Sequence, residues 1–291
     1  MSVPARPTPL FADIADVARR LAETGYLPDT ATATAVFLAD RHGKPLLVEG
    51  PAGVGKTELA RAVAQATGSG LIRLQCYEGV DEARALYEWN HAKQILRIQA
   101  GSGDWESTKD DVFSEEFLLS RPLLTAIRRT EPTVLLIDET DKADIEIEGL
   151  LLEVLSDFAV TVPELGTITA ERAPLVVLTS NATRELSEAL KRRCLFLHID
   201  FPSPDLERRI LLSRVPELPA HLAEELVRII GVLRAMQLKK VPSIAETIDW
   251  GRTLLALGLD TIDDAVVAQT LGVILKHQSD QQRAAGELRL N

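Results

Sequence analysis

The spacing of apolar positions changes along this chain, and the changes mark out its elements. Phe11, Ile14, Val17 and Leu21 recur at helical spacing between Phe11 and Thr24 and predict an amphipathic helix. A second helix is expected over 30–40, after the break Tyr26-Leu27-Pro28-Asp29. Short runs rich in apolar residues follow at 45–48, 71–76, 133–137, 175–179 and 194–199. Runs of that length read as buried strands, and the fully apolar 133–137 suits a central strand covered on both faces. Helices fall between them. One spans 58–67, with Leu59, Val63 and Ala64 on one face and Gly68 as its stop. Another is expected at 123–129, and a third carries Ile147, Leu150, Leu151, Val154, Leu155 and Phe158 on one side.

Three stretches are less regular. Over 77–121 the pattern suggests a strand at 94–98, a break at Gly101-Ser102-Gly103 beside Trp105, and a helix at 112–119. A helix interrupted by a protruding hairpin or loop would produce this mixture, and so would a plain surface loop. At 159–170, two β-branched runs around Pro163-Glu164-Leu165-Gly166 predict a β-hairpin. Residues 184–190 read as helix and lead into Lys191-Arg192-Arg193. After Phe201-Pro202-Ser203-Pro204-Asp205 the composition shifts. Helices are expected at 206–214, 221–236, 244–257 and 262–277, followed by a polar tail from Gln278 that frays. Residues 1–10 hold three prolines and read as a loose tail.

The chemistry lies at strand ends. Gly50-Pro51-Ala52-Gly53-Val54-Gly55-Lys56-Thr57 joins a strand to a helix and fits the phosphate-binding pattern of Gly, four residues, Gly-Lys, then Ser or Thr. Backbone N–H groups of such a loop and the following helix N-terminus converge on anionic phosphate. Lys56 would reach the β and γ phosphates of a nucleoside triphosphate, and the Thr57 hydroxyl would bind Mg²⁺. Asp138-Glu139 ends the third strand, where ligands bind in open α/β sheets. Alone, that pair is often a helix cap. Beyond a phosphate loop, Asp138 is expected in the Mg²⁺ shell and Glu139 to polarise the attacking water. Asn181 ends the fourth strand, either as a turn residue or as a polar contact to the γ phosphate. The triplet 191–193 is either a solvated face or an arginine finger presented to a neighbouring subunit.

Composition narrows the partners. The 291 residues carry a net charge of −11, which argues against nonspecific binding to nucleic acid or anionic membrane. Cys76 and Cys194 lack metal-ligand spacing and read as reduced thiols. His42, His91, His198, His221 and His277 are scattered. With no signal-peptide pattern and no long apolar run, a soluble cytoplasmic protein is expected.

Taken together and in order, the 50–57 loop, Leu136-Ile137-Asp138-Glu139, Thr179-Ser180-Asn181 and Leu190-Lys191-Arg192-Arg193-Cys194-Leu195-Phe196 resemble an AAA+ ATPase. The hairpin at 160–169 and the insert between the second and third strands resemble its MoxR branch. Gln75–Gly79, Leu86–Asn90 and Pro242–Trp250 further resemble ATPases that mature molybdenum-containing carbon monoxide dehydrogenase. The resemblance implies an α/β fold: a five-stranded parallel P-loop sheet sandwiched by helices, with a β-hairpin insertion and a small all-α C-terminal lid. It divides the chain at 1–24, 25–202 and 203–291.

It also implies roles. Gly50, Pro51, Ala52, Gly53, Val54, Gly55, Lys56, Thr57 and Asp138 would bind ATP and Mg²⁺. Glu139 would be the catalytic acid, Asn181 the polar sensor, and Arg193, with Arg192 as alternate, the finger acting in trans within a homo-hexamer. A von Willebrand factor A domain partner and a client enzyme are implied. The family's lid arginine is missing from Pro242-Ser243-Ile244-Ala245-Glu246, and Arg252 is a candidate substitute. A small-molecule P-loop kinase, a nucleic-acid motor and a nonenzymatic nucleotide switch are the rival readings.

Overall fold

The computed structural model describes residues 9–100 and 112–288. The Gly101–Gly103 break, Trp105 and the first eight residues of the expected tail lie outside them. The described chain divides into two compact units. The first holds the described residues up to Thr24, Pro28–Glu49 and Thr57–His198; the second holds Gly25–Leu27, Gly50–Lys56 and Ile199 onward.

The first unit begins with α1 (Ile14–Glu23), capped by the Asp13 side chain. Val17 and Leu21 are buried, but Ile14 is on the exposed side, and Phe11 packs from the segment before the helix. After α2 (Thr30–His42) come β1 (Leu46–Glu49), α3 (Lys56–Thr67) and β2 (Gly70–Gln75). Gly68 closes α3 in the left-handed region, as its stop role requires.

The insert departs from expectation. α4 (Glu82–Ala85) and β3 (Tyr87–Trp89) lead into α5 (His91–Ala100), where a strand was expected at 94–98. Asn90 Oδ1 accepts from the Lys93 N–H at the head of this helix, which supplies the cap that the apolar run concealed. The helix expected at 112–119 is instead a 3₁₀ turn at Glu115–Phe117 and β4 (Leu118–Ser120), which pairs antiparallel with β3. Trp89, the last residue of β3, meets Phe113 edge-on at 5.4 Å.

α6 (Pro122–Arg128) and β5 (Thr133–Asp138) follow, with every residue of β5 buried. Next are α7 (Ile145–Asp157), the hairpin β6 (Ala159–Val162) and β7 (Gly166–Thr169), then β8 (Leu175–Ser180). α8 (Glu188–Arg193) is shorter than the pattern suggested: Arg184–Ser187 is loop, and Lys191–Arg193 is its last turn. β9 (Leu195–His198) completes a five-stranded sheet in the order β2-β5-β8-β1-β9, every neighbouring pair parallel. That order is the α/β fold with a hairpin insertion. It places the C-terminal ends of β1, β5 and β8 side by side.

In the second unit, α9 (Pro204–Arg214), α10 (Ala220–Ala235), α11 (Ile244–Ala256) and α12 (Asp264–Ile274) bury Leu211, Leu226, Ile230, Trp250 and Leu271 in a common core. The polar tail does not fray at Gln278. It forms α13 (Gln278–Glu287), because Asp280 accepts from the Lys239 and Lys240 N–H groups at 3.0 and 3.1 Å and Ala284 is buried. Hydrogen bonding, rather than an apolar stripe, holds this helix in place.

Candidate functional site

Of the phosphate-loop pattern Gly50–Thr57, residues Gly50–Lys56 belong to the second unit and Thr57 to the first, with helix α3 beginning at Lys56. Two glycines are dictated by space as well as conformation. A Cβ at Gly50 would lie 1.9 Å from the Ile199 carbonyl oxygen, and at Gly53, with φ +77°, it would lie 2.4 Å from the Ser243 side chain. No other residue fits either place without moving its neighbour. Lys56 is buried, and its ammonium donates to the Gly50 and Pro51 carbonyls at 2.7 Å each. Val54 is buried, whereas Ala52 and Gly53 face solvent. The Tyr26 ring stands 3.7 Å from where a Gly55 Cβ would lie, so Tyr26 packs beside this loop. Ser243 caps α11 in reciprocal exchange with Glu246, whose carboxylate lies below its ordinary range. Burial pushes it up, and the Ser243 hydroxyl and N–H outweigh that. Arg252 is well exposed and reaches only Asp249, at 3.4 Å.

In the first unit, Asp138 is the last residue of β5 and is 2% exposed. Its Oδ1 accepts from the Thr57 hydroxyl at 2.9 Å and the Thr179 hydroxyl at 2.6 Å, and its Oδ2 from the Arg73 guanidinium. The Thr179 hydroxyl also accepts from the Glu139 N–H at 2.9 Å. One hydroxyl therefore ties the ends of β5 and β8. A carboxylate and a hydroxyl already in contact form a hard-oxygen pair of the kind Mg²⁺ prefers, so Thr57 and Asp138 fit that ion.

Glu139 is a non-glycine residue in the left-handed region, with φ 56° and ψ 47°. Such a backbone costs about 1 kcal/mol, and it turns the side chain out of the strand direction. Its Oε2 accepts from Gln75 Nε2 at 3.1 Å and from the Lys142 ammonium. The Glu139 partner raises Lys142 above the usual lysine range. Glu139 is thus held between a strand-end amide and a lysine.

Asn181 follows β8 directly and is half-buried. Its neighbour Ala182 is also left-handed, at φ 56°, with its N–H donating to the Ser180 hydroxyl. Arg193 is exposed on α8, where it donates to the Ser156 hydroxyl at 2.8 Å and the Ala189 carbonyl at 3.2 Å. Arg192 is exposed beside it.

Arg73, Gln75 and Thr179 were not singled out from the pattern. The register Gln75↔Asp138 shows why they belong: they sit on the strands flanking β5, at or near the level of its carboxylate. Both thiols are held in the protonated form. Burial pushes Cys76 up to about 12, helped by the nearby Asp138 charge, and burial alone does the same for Cys194.

Among the described residues, no His/Cys/Asp/Glu group forms a metal cluster, and no helix is long and apolar enough to cross a membrane.

ClpB 2, a chaperone protein of Thermosynechococcus vestitus, is 33% identical over 143 residues, 48% of this chain and 14% of that protein. ClpB of Chlamydia pneumoniae is 26% identical over 265 residues, 86% of this chain and 28% of that protein. The chain thus spans less than a third of the length of these curated relatives. A mutant RuvB of Thermotoga maritima has a similar fold, with TM-score 0.50 and 18% identity over 98% of this chain and 86% of that one. The model of the AAA domain, dynein-related subfamily, matches residues 45–194, just over half of the chain. On that match, and with the sheet order and strand-end residues described above, the chain belongs to the AAA+ ATPase family.

Proposed function

We propose that the chain hydrolyses ATP at the 50–57 loop, as a MoxR-type AAA+ module that remodels or helps to mature a client enzyme. The observation that carries this reading is the Thr57–Asp138 contact, with Glu139 as the next residue. Lys56 and the loop N–H groups bind the β and γ phosphates. Thr57 and Asp138 hold Mg²⁺, which when bound offsets charge on the phosphate oxygens. Glu139 exchanges its contacts with Gln75 and Lys142 for the attacking water and takes up its proton. Asn181 orients the γ phosphate or that water.

In this reading Arg193, or Arg192, completes the site of a neighbouring subunit in a cytoplasmic homo-hexameric ring. Both are exposed at the end of α8, as a group acting in trans must be. Residues 25–202 form the hydrolytic domain, 203–291 a helical lid, and 1–24 a leading segment. Metal-cofactor insertion into the client, with a von Willebrand factor A domain protein as adaptor, is the finer form of the proposal. The β6–β7 hairpin and the β3–β4 insert support the MoxR part of the reading, and the stretches Gln75–Gly79, Leu86–Asn90 and Pro242–Trp250 support the maturation of a metal enzyme.

Glu139→Gln tests the reading. ATP affinity by calorimetry should stay within about twofold of the parent, while turnover falls by roughly a hundredfold or more. A normal turnover rate would remove Glu139 from this role. The same variant, held in ATP and used as bait, should retain the client.

A further inference from the structure

Directly after Glu139 the chain supplies two more buried carboxylates that the reading above leaves without a task. Asp141 is 3% exposed and Glu148 is 2% exposed. Both turn toward the same short segment, the loop that carries Asn181 and leads into α8. Asp141 Oδ2 accepts from the Thr183 N–H at 3.0 Å and from the Thr183 hydroxyl at 2.5 Å. Glu148 Oε2 accepts from the Ser187 N–H at 2.9 Å, and its Oε1 from Arg184. Arg184 in turn donates to the Ala143 carbonyl at 2.6 Å.

The segment gains little from regular structure. Residues 181–187 are neither strand nor helix, and Ala182 holds a left-handed backbone. A loop in that state stays in one conformation only where its surroundings over-determine it. Here the surroundings are two carboxylates, one near each end, both borne on the chain that continues from Glu139. Burial works against their charge. For Asp141, the Thr183 hydroxyl and N–H and the Asn181 backbone overcome it and hold the acid below its ordinary range. Ser187 and Arg184 do the same for Glu148.

We propose that Asp141 and Glu148 are positioning residues: Asp141 sets the Asn181 loop, and Glu148 sets the start of α8 and hence Arg192 and Arg193. The water-activating end of β5, the γ-phosphate contact and the arginines offered to a neighbour are thereby coupled through two carboxylate clamps. The proposal rests on the hydrolytic reading given above, since it assigns what supports that site's residues.

Double-mutant cycles test it, measured on assembled protein at saturating ATP. Asp141→Ala and Asn181→Ala are each expected to lower kcat by about tenfold to a hundredfold, with KM nearly unchanged. The double variant should be no worse than the poorer single one, because both act through one group. Asp141→Asn keeps a carbonyl oxygen for Thr183 and should recover part of the loss. Glu148→Gln and Arg193→Ala should show the same non-additivity. Fully additive losses in both cycles, or a full-rate Asp141→Ala enzyme, would overturn the proposal. Should Asp141→Ala fail to fold, Asp141→Asn replaces it in the cycle with Asn181→Ala. If Glu139→Gln hydrolyses ATP normally, the hydrolytic reading itself fails. If Glu139→Gln is inactive but the cycles are additive, only the clamps fail.

Discussion

Glu207 in the helical unit and Asp138 in the sheet unit are equally buried, each 2% exposed, yet their surroundings suit opposite purposes. Arg234 grips Glu207 with both arms of its guanidinium, at 2.6 and 2.8 Å, and Thr247 adds a third bond at 2.7 Å. Arg234 is itself largely buried, donates to the Pro242 carbonyl and lies over the Phe201 ring at 4.4 Å. Each oxygen of Glu207 thus meets a rigid, buried donor. Asp138 instead meets two hydroxyls and an arginine whose side chain is 43% exposed. Hydroxyls rotate and can accept as well as donate, so their bonds exchange without leaving a charge stranded. The lesson is that burial alone does not separate a structural carboxylate from one proposed to hold an ion. The exchangeability of its partners does.

Arg234→Ala strands the Glu207 charge and should destabilise the helical unit by roughly 3–5 kcal/mol, read as a lowered urea midpoint. Thr179→Val is the counterpart in the sheet. It leaves an Asp138 oxygen and the Glu139 N–H short of a partner and should cost about 1–3 kcal/mol in the same assay. It should also slow hydrolysis disproportionately, because the strained turn at Glu139 loses its tie.

A pH series sharpens the contrast further. Glu148 lies below its ordinary value of 4.5, so its contribution to stability is complete above pH 4.5 and is lost as the pH falls through the lower folded value. The urea midpoint should therefore drop on the acid side, with a shallower drop in Glu148→Gln. Arg73→Ala should be mildest, under about 1 kcal/mol, since a half-exposed cation is well screened. A larger loss would place Arg73 with Arg234 and erase the distinction.

The parts of this molecule that could be read in advance are those whose reason is local. The apolar run of β5 and the 3.6-residue stripe of α7 each announce a buried face, and Gly50–Thr57 and Asp138-Glu139 are contiguous patterns legible within their own segments. What escaped has non-local causes. Gln94–Ile98 looks like a strand because Ile95, Leu96 and Ile98 are apolar, but all three are exposed and no sheet receives them. α13 is fixed by Asp280 reaching backbone about 40 residues away in sequence, which composition does not reveal. Arg73, Gln75 and Thr179 join the site only through strand order and register, properties of the sheet and not of any one segment.

The two bonds from the Lys56 ammonium to the Gly50 and Pro51 carbonyls carry a consequence for affinity. In the ATP-binding reading, the loop's own oxygens compete with the nucleotide for that cation. Whatever strength a phosphate contact has at Lys56, the measured binding constant records it only after subtraction of the contacts given up. Such a loop discriminates by charge density. A weakly charged anion gains too little to displace the carbonyls, and a polyphosphate gains enough.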